Sequence, residues 1–180
     1  MKIAPFIRAI EKHNAKVEKS GGGSGGGEQA KPAEHVEHIL VHTGQHYDHQ
    51  MSQTFFDALN IPPADIHLEV GSGSHAEQVG NTMIAFEKVV MNEKPDWVVV
   101  VGDVNATLAC SVTAKKLHVK CCHIEAGLRS GDITMPEEVN RLVTDRLSDL
   151  LLTPDLMAME NLKQEGVVDS RMAFVGNIMI

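Results

Sequence analysis

Apolar residues in this chain follow two spacings, and the change from one to the other marks out its elements. Over 4–13, Phe6, Ile7 and Ile10 fall on one side of a helix whose first turn tolerates Pro5. Residues 36–41 read as a strand, and 48–59 as a helix ended by Asn60 and Pro62. Ser74 can cap a helix over 75–91, with Glu77 three residues on to complete a capping box. The run Trp97-Val98-Val99-Val100-Val101 predicts a buried strand, followed by a helix over 105–117 and a strand over 119–124. Pro136 in a first helical position, with Glu137 and Glu138 in the same turn, predicts a helix over 136–147. A short strand at 149–152, a helix at 155–165 and a last strand at 172–175 complete the series.

Strands separated by helices of this length imply an α/β fold, a doubly wound and mainly parallel Rossmann-like sheet with right-handed crossovers. The expectation is one domain over 1–180, with six or so strands in its sheet. Ser20 to Gly27 is a Gly/Ser tract, and the flexible insertion is placed at 20–33. With its polar neighbours it forms a connection of about 20 residues, long for a compact domain.

Two strand ends repeat one pattern. The run ending at Val101 is followed by Gly102-Asp103, and the run ending at Ile124 by Glu125-Ala126-Gly127-Leu128-Arg129. In an open α/β sheet the carboxyl ends of the strands are the edge where ligands bind. An acid there has an apolar sheet behind it, a setting suited to proton transfer. A lone Gly-Asp would be read as a helix cap for the helix from Asn105. The repeat at a second strand end favours a site.

Composition narrows the function. Hydrophobic residues make up 43% and charged residues 22%, as in globular proteins. A formal charge of −8, with lysines and arginines scattered, argues against nucleic acid as a partner. No apolar run approaches the roughly 20 residues of a membrane span. Three cysteines, Cys121 and Cys122 adjacent, make no disulfide framework and fit a reduced cytoplasmic setting. His38 and His42 would share a strand face, but about 13 Å apart, too far for one ion, so no metal is expected. No Gly-x-Gly-x-x-Gly follows a strand and no Walker loop is present.

The motifs Thr43-Gly44-Gln45-His46-Tyr47-Asp48, Gly71-Ser72-Gly73-Ser74, Val101-Gly102-Asp103, His123-Ile124-Glu125-Ala126-Gly127-Leu128-Arg129, Met135-Pro136-Glu137-Glu138-Val139-Asn140-Arg141 and Val175-Gly176-Asn177 occur in this order. Each alone is weak. As an ordered set they resemble the non-hydrolysing UDP-N-acetylglucosamine 2-epimerases, from Met1 to Ile180 apart from the Gly/Ser insertion.

That resemblance implies the N-terminal half of a two-domain glycosyltransferase-B-type fold, with a UDP-sugar in the cleft between the halves. It implies elimination of UDP across C1 and C2 of the sugar, then re-addition with inversion at C2, without metal or cofactor. Asp103, Glu125 and Glu137 match the family's acids and are the candidates for proton handling, with no assignment of acid and base among them. Gln45 and His46 match residues that touch nucleotide-sugar, and Arg129 and Arg141 are candidates for substrate binding. Arg129 could equally hold a carboxylate, and Arg141 could pair with Glu137 four residues earlier. The family also implies a homo-oligomer, a dimer. A first central strand with a Gly-x-Arg-Pro loop and a UDP-gripping second domain are the expected absences, and Val104 replaces a usual threonine. The chain alone is expected to be inactive and marginally stable. A non-catalytic nucleotide-sugar module and half of a related glycosyltransferase stand as alternatives.

Overall fold

The computed structural model describes residues 3–20, 34–44 and 63–178. The helix expected at 48–59, most of the Gly/Ser insertion, and Gln45 and His46 lie outside them. In chain order the elements are α1 (Ala4–Ser20), β1 (Val41–His42), β2 (Ile66–His67), α2 (His75–Glu93), β3 (Trp97–Val101) and α3 (Asn105–Lys116). Then follow β4 (Lys120–Ile124), α4 (Pro136–Leu147), β5 (Leu150–Thr153), α5 (Leu156–Gln164), a 3-10 turn (Asp169–Arg171) and β6 (Met172–Phe174).

The sheet expected as one piece is two among the described residues. β1 and β2 pair in parallel, and β3-β4-β5-β6 form a separate sheet, also parallel throughout. Among the described residues no strand pairs with the edge of β3 that faces away from β4. The two sheets still share a core. Phe86 and Val90 of α2, Val98 and Val100 of β3, Cys110 and Ala114 of α3 and Cys121 of β4 pack together, with Val41 and Leu68 against them.

The strand expected over 36–41 is a second correction, because strand pairing begins only at Val41. Residues 34–39 are exposed, and side chains take the place of a neighbouring strand. The Asn14 amide of α1 donates to the Val36 carbonyl and accepts from the Val36 N–H, both at 2.8 Å. Asp65 accepts from the Leu40 N–H at 2.7 Å. An amide side chain gripping one residue at both backbone groups satisfies that backbone without a ladder.

From α2 onward the elements follow the pattern closely. Ser74 caps α2, and the Glu77 side chain closes the capping box on the Ser74 N–H at 2.8 Å. Given the consecutive parallel order β3-β4-β5-β6, the right-handed crossover rule places α3, α4 and α5 on one face. By register Val98, Val100, Cys121, His123, Leu151 and Met172 point to a common face. Ile124, Leu151 and Leu162 are almost wholly buried, each contributing about 1.5–3 kcal/mol. The loop after β4 lies tightly against α5. Gly127 has φ +83°, and a Cβ there would collide with the Ala158 carbonyl, so only glycine fits.

Candidate active site

The carboxyl ends of β3 and β4 lie side by side, because Val101 pairs with Ile124 in the parallel register. Asp103 and Glu125 therefore leave the same edge of the sheet. Asp103 does not cap α3. The N-cap residue is Val104, which makes no side-chain cap bond. The Asp103 Oδ2 accepts instead from Arg141 of α4, from Nε at 3.0 Å and Nη2 at 2.5 Å. Asn140 donates to the Asp103 carbonyl at 2.8 Å, so two successive residues of α4 hold this loop.

Glu125 has φ +72°, in the left-handed region that side chains rarely adopt. Its own N–H and that of Ala126 both donate to the Leu152 carbonyl at 3.1 Å. The end of β5 thus grips the turn that carries the acid. Strain of this kind, of order 1–3 kcal/mol, is found where surrounding structure enforces it.

Glu137 lies half-buried in the first turn of α4, as its neighbour Pro136 foretold, and makes no ion pair among the described residues. The i,i+4 pairing suggested for Arg141 is not the one formed. Arg141 reaches Glu138, three residues earlier, with Nη1 at 2.8 Å, and Asp103 with its other nitrogens. Burial works against the charge on Arg141, and Glu138 and Asp103 outweigh it, raising the guanidinium pKa.

Glu138 is the acid that the sequence reading passed over. It is buried and also accepts from the N–H groups of Ser130 and Gly131, at 3.0 and 3.1 Å. Burial would raise its pKa, but the Ser130 N–H, Arg141 and the Gly131 N–H together hold it down at about 2. Its place in the Pro136-Glu137-Glu138 start and its i,i+3 spacing to Arg141 were its visible signals. Arg129 takes the carboxylate role considered for it. Nη1 meets Asp145 at 2.8 Å, and Nε and Nη2 meet Glu165 at 2.7 Å each. Both arginines are thus committed to carboxylates of the protein.

Beside this edge a groove of about 480 Å³ runs between the first turns of α2, α3 and α4. Ala76, Val79, Leu108 and Val139 give it an apolar lining, and none of the three candidate acids lines it. Among the described residues, no three His, Cys, Asp or Glu side chains converge as metal ligands. No described helix is long and apolar enough to cross a membrane.

Parallel strands with crossover helices, and two acid-bearing loops at the carboxyl edge, define a Rossmann-like α/β unit of the glycosyltransferase-B kind. Residues 28–180 match the sequence profile described as UDP-N-acetylglucosamine 2-epimerase, and the chain belongs to that family. It is 41% identical over 180 residues to the UDP-N-acetylglucosamine 2-epimerase of Methanocaldococcus jannaschii, covering 100% of this chain and 43% of that protein. It is 47% identical over 143 residues to the UDP-2,3-diacetamido-2,3-dideoxy-D-glucuronate 2-epimerase of Pseudomonas aeruginosa, covering 78% and 40%. The crystal structure of the M. jannaschii enzyme in complex with UDP-GlcNAc and UDP matches with a TM-score of 0.83 at 41% identity. That match covers 98% of this chain and 43% of the other. The chain therefore spans less than half the length of these relatives.

Proposed function

We propose that this chain forms the proton-handling wall of a UDP-sugar 2-epimerase, acting on UDP-N-acetylglucosamine or a diacetamido-uronate relative. The observation that carries this reading is the pair of acids at adjacent strand ends. One is held by Arg141, and the other is enforced in a left-handed backbone. Such preorganisation suits a reaction in which one group removes the C2 proton and another returns it. Asp103, Glu125 and Glu137 are assigned to that work. Gln45 and His46 are assigned to the nucleotide-sugar.

The two arginines serve the substrate through the carboxylates they hold. Arg141 orients Asp103, and Arg129 anchors the loop that follows Glu125. Elimination and re-addition of UDP need neither metal nor cofactor. The three unpaired, buried cysteines suit the reducing cytoplasm. A homodimer is the proposed assembly.

The test is exchange of the C2 proton of UDP-N-acetylglucosamine in heavy water, followed by NMR. The chain is assayed alone and together with the part of the M. jannaschii relative that it does not span. Exchange is expected only in the combined sample, and Asp103→Asn or Glu125→Gln should reduce it by at least about 100-fold. Exchange that survives both substitutions would remove these residues from the mechanism.

A further inference from the structure

Behind the two acids lies a buried polar chain that has no part in the proton handling above. His123 sits on β4 two residues before Glu125 and is fully buried. Its Nδ1 lies 2.6 Å from Oδ1 of Asp145 on α4, whose side chain is 2% exposed. Its Nε2 lies 2.9 Å from the Gly102 carbonyl. A carbonyl only accepts, so Nε2 carries a hydrogen and the ring is fixed in one orientation. The other oxygen of Asp145 accepts from the Gly127 N–H at 3.0 Å and from Arg129 at 2.8 Å.

The ends of this chain matter most. Gly102 immediately precedes Asp103, and Gly127 follows Glu125 by two residues. Carbonyl, imidazole, carboxylate and amide therefore run from one acid-bearing loop to the other, beneath the edge of the sheet.

We propose that His123 and Asp145 are positioning residues that set the separation of Asp103 and Glu125. The inference rests on the reading of those two acids as proton-handling groups. A buried polar pair is a poor device for stability alone, because apolar residues of the same volume would often serve as well or better. Here both ring nitrogens and both carboxylate oxygens are used, and they end on the backbone of the two loops. Proton transfer is sensitive to such placement, and an error of 1 Å can cost about 100-fold in rate.

Two substitutions separate the halves of the bridge. In His123→Gln the amide nitrogen falls where Nε2 was, preserving the donor to Gly102. In His123→Asn it falls where Nδ1 was, preserving the link to Asp145 and abandoning Gly102. Amide NMR of the 180-residue chain, a thermal melt, and kcat and KM from the combined C2-exchange assay are compared for both. His123→Asn should move the amide signal of Asp103 and lower kcat about 100-fold at unchanged KM. His123→Gln should leave that signal in place and keep kcat within about 10-fold, although both lose similar stability. The wild-type ring spectrum should show hydrogen on Nε2 of His123.

Equal rate losses that track the melting temperature would overturn the proposal, as would a ring with Nε2 bare. If His123→Asn does not fold, Asp145→Asn makes the comparison from the other end and should move the Gly127 signal. An unmoved Gly127 signal would count against positioning. Absence of exchange in the wild type would defeat the proposed function, while the amide and ring signals would still decide this inference.

Discussion

At the residue scale, single side chains carry measurable parts of the site. Val104 stands at the N-cap of α3 without a cap bond and is nearly half exposed. Val104→Thr should therefore supply a missing acceptor and raise unfolding free energy by about 1 kcal/mol, read as a higher urea midpoint at unchanged slope. Glu138 makes a pH prediction. Its folded pKa of about 2 lies below the ordinary 4.5, so its contribution is complete above 4.5 and disappears as pH falls toward 2. Each unit of that depression is worth roughly 1.4 kcal/mol. Stability of the wild type should fall more steeply across pH 4.5 to 2 than that of Glu138→Gln, in parallel denaturant titrations. Identical slopes would show that the carboxylate is not held as described.

At the element scale, what the sequence revealed depended on whether the signal was local. β3 and α4 were legible to the residue, since a five-residue apolar run and a Pro-Glu-Glu start are complete within themselves. β2 was missed because two residues cannot show an alternation. Residues 36–41 misled because their apolar members suggest a strand, while Asn14 and Asp65, more than 20 residues away, decide their backbone bonds. The same holds within the site. Asp103 and Glu125 were visible as acids at strand ends. The Arg141 grip on Asp103 spans 38 positions and the His123–Asp145 pair 22, and no spacing rule reaches so far.

At the scale of the whole molecule, two surfaces favour association. The outer edge of β3 has no strand partner among the described residues, and a strand edge of this kind is a template for pairing with another chain. On α2, Ala76, Gly80 and Ile84 form an i,i+4 stripe. Val139 and Val143 form another on α4, and Ile84 is 61% exposed. Together these stripes continue the apolar groove along the helices, an arrangement typical of protein contacts. Light scattering after size exclusion should show mass rising with concentration toward a dimer. Ile84→Glu combined with Val143→Glu should return the chain to a monomer if the helical face is the contact. A dimer that persists in the double variant would point to the strand edge.

The three cysteines lead somewhere else. Burial pushes the thiols of Cys110 and Cys122 up to about 12 and raises that of Cys121 as well. With a pKa near 12 only about one thiol in 100,000 is ionised at pH 7, against a few per cent for an exposed cysteine. All three native thiols are also buried, so alkylating reagents will meet a low background. One cysteine introduced at Ser130, exposed on the loop between β4 and α4, would react by itself. A fluorophore or spin label could then be attached beside the site without deleting any native thiol.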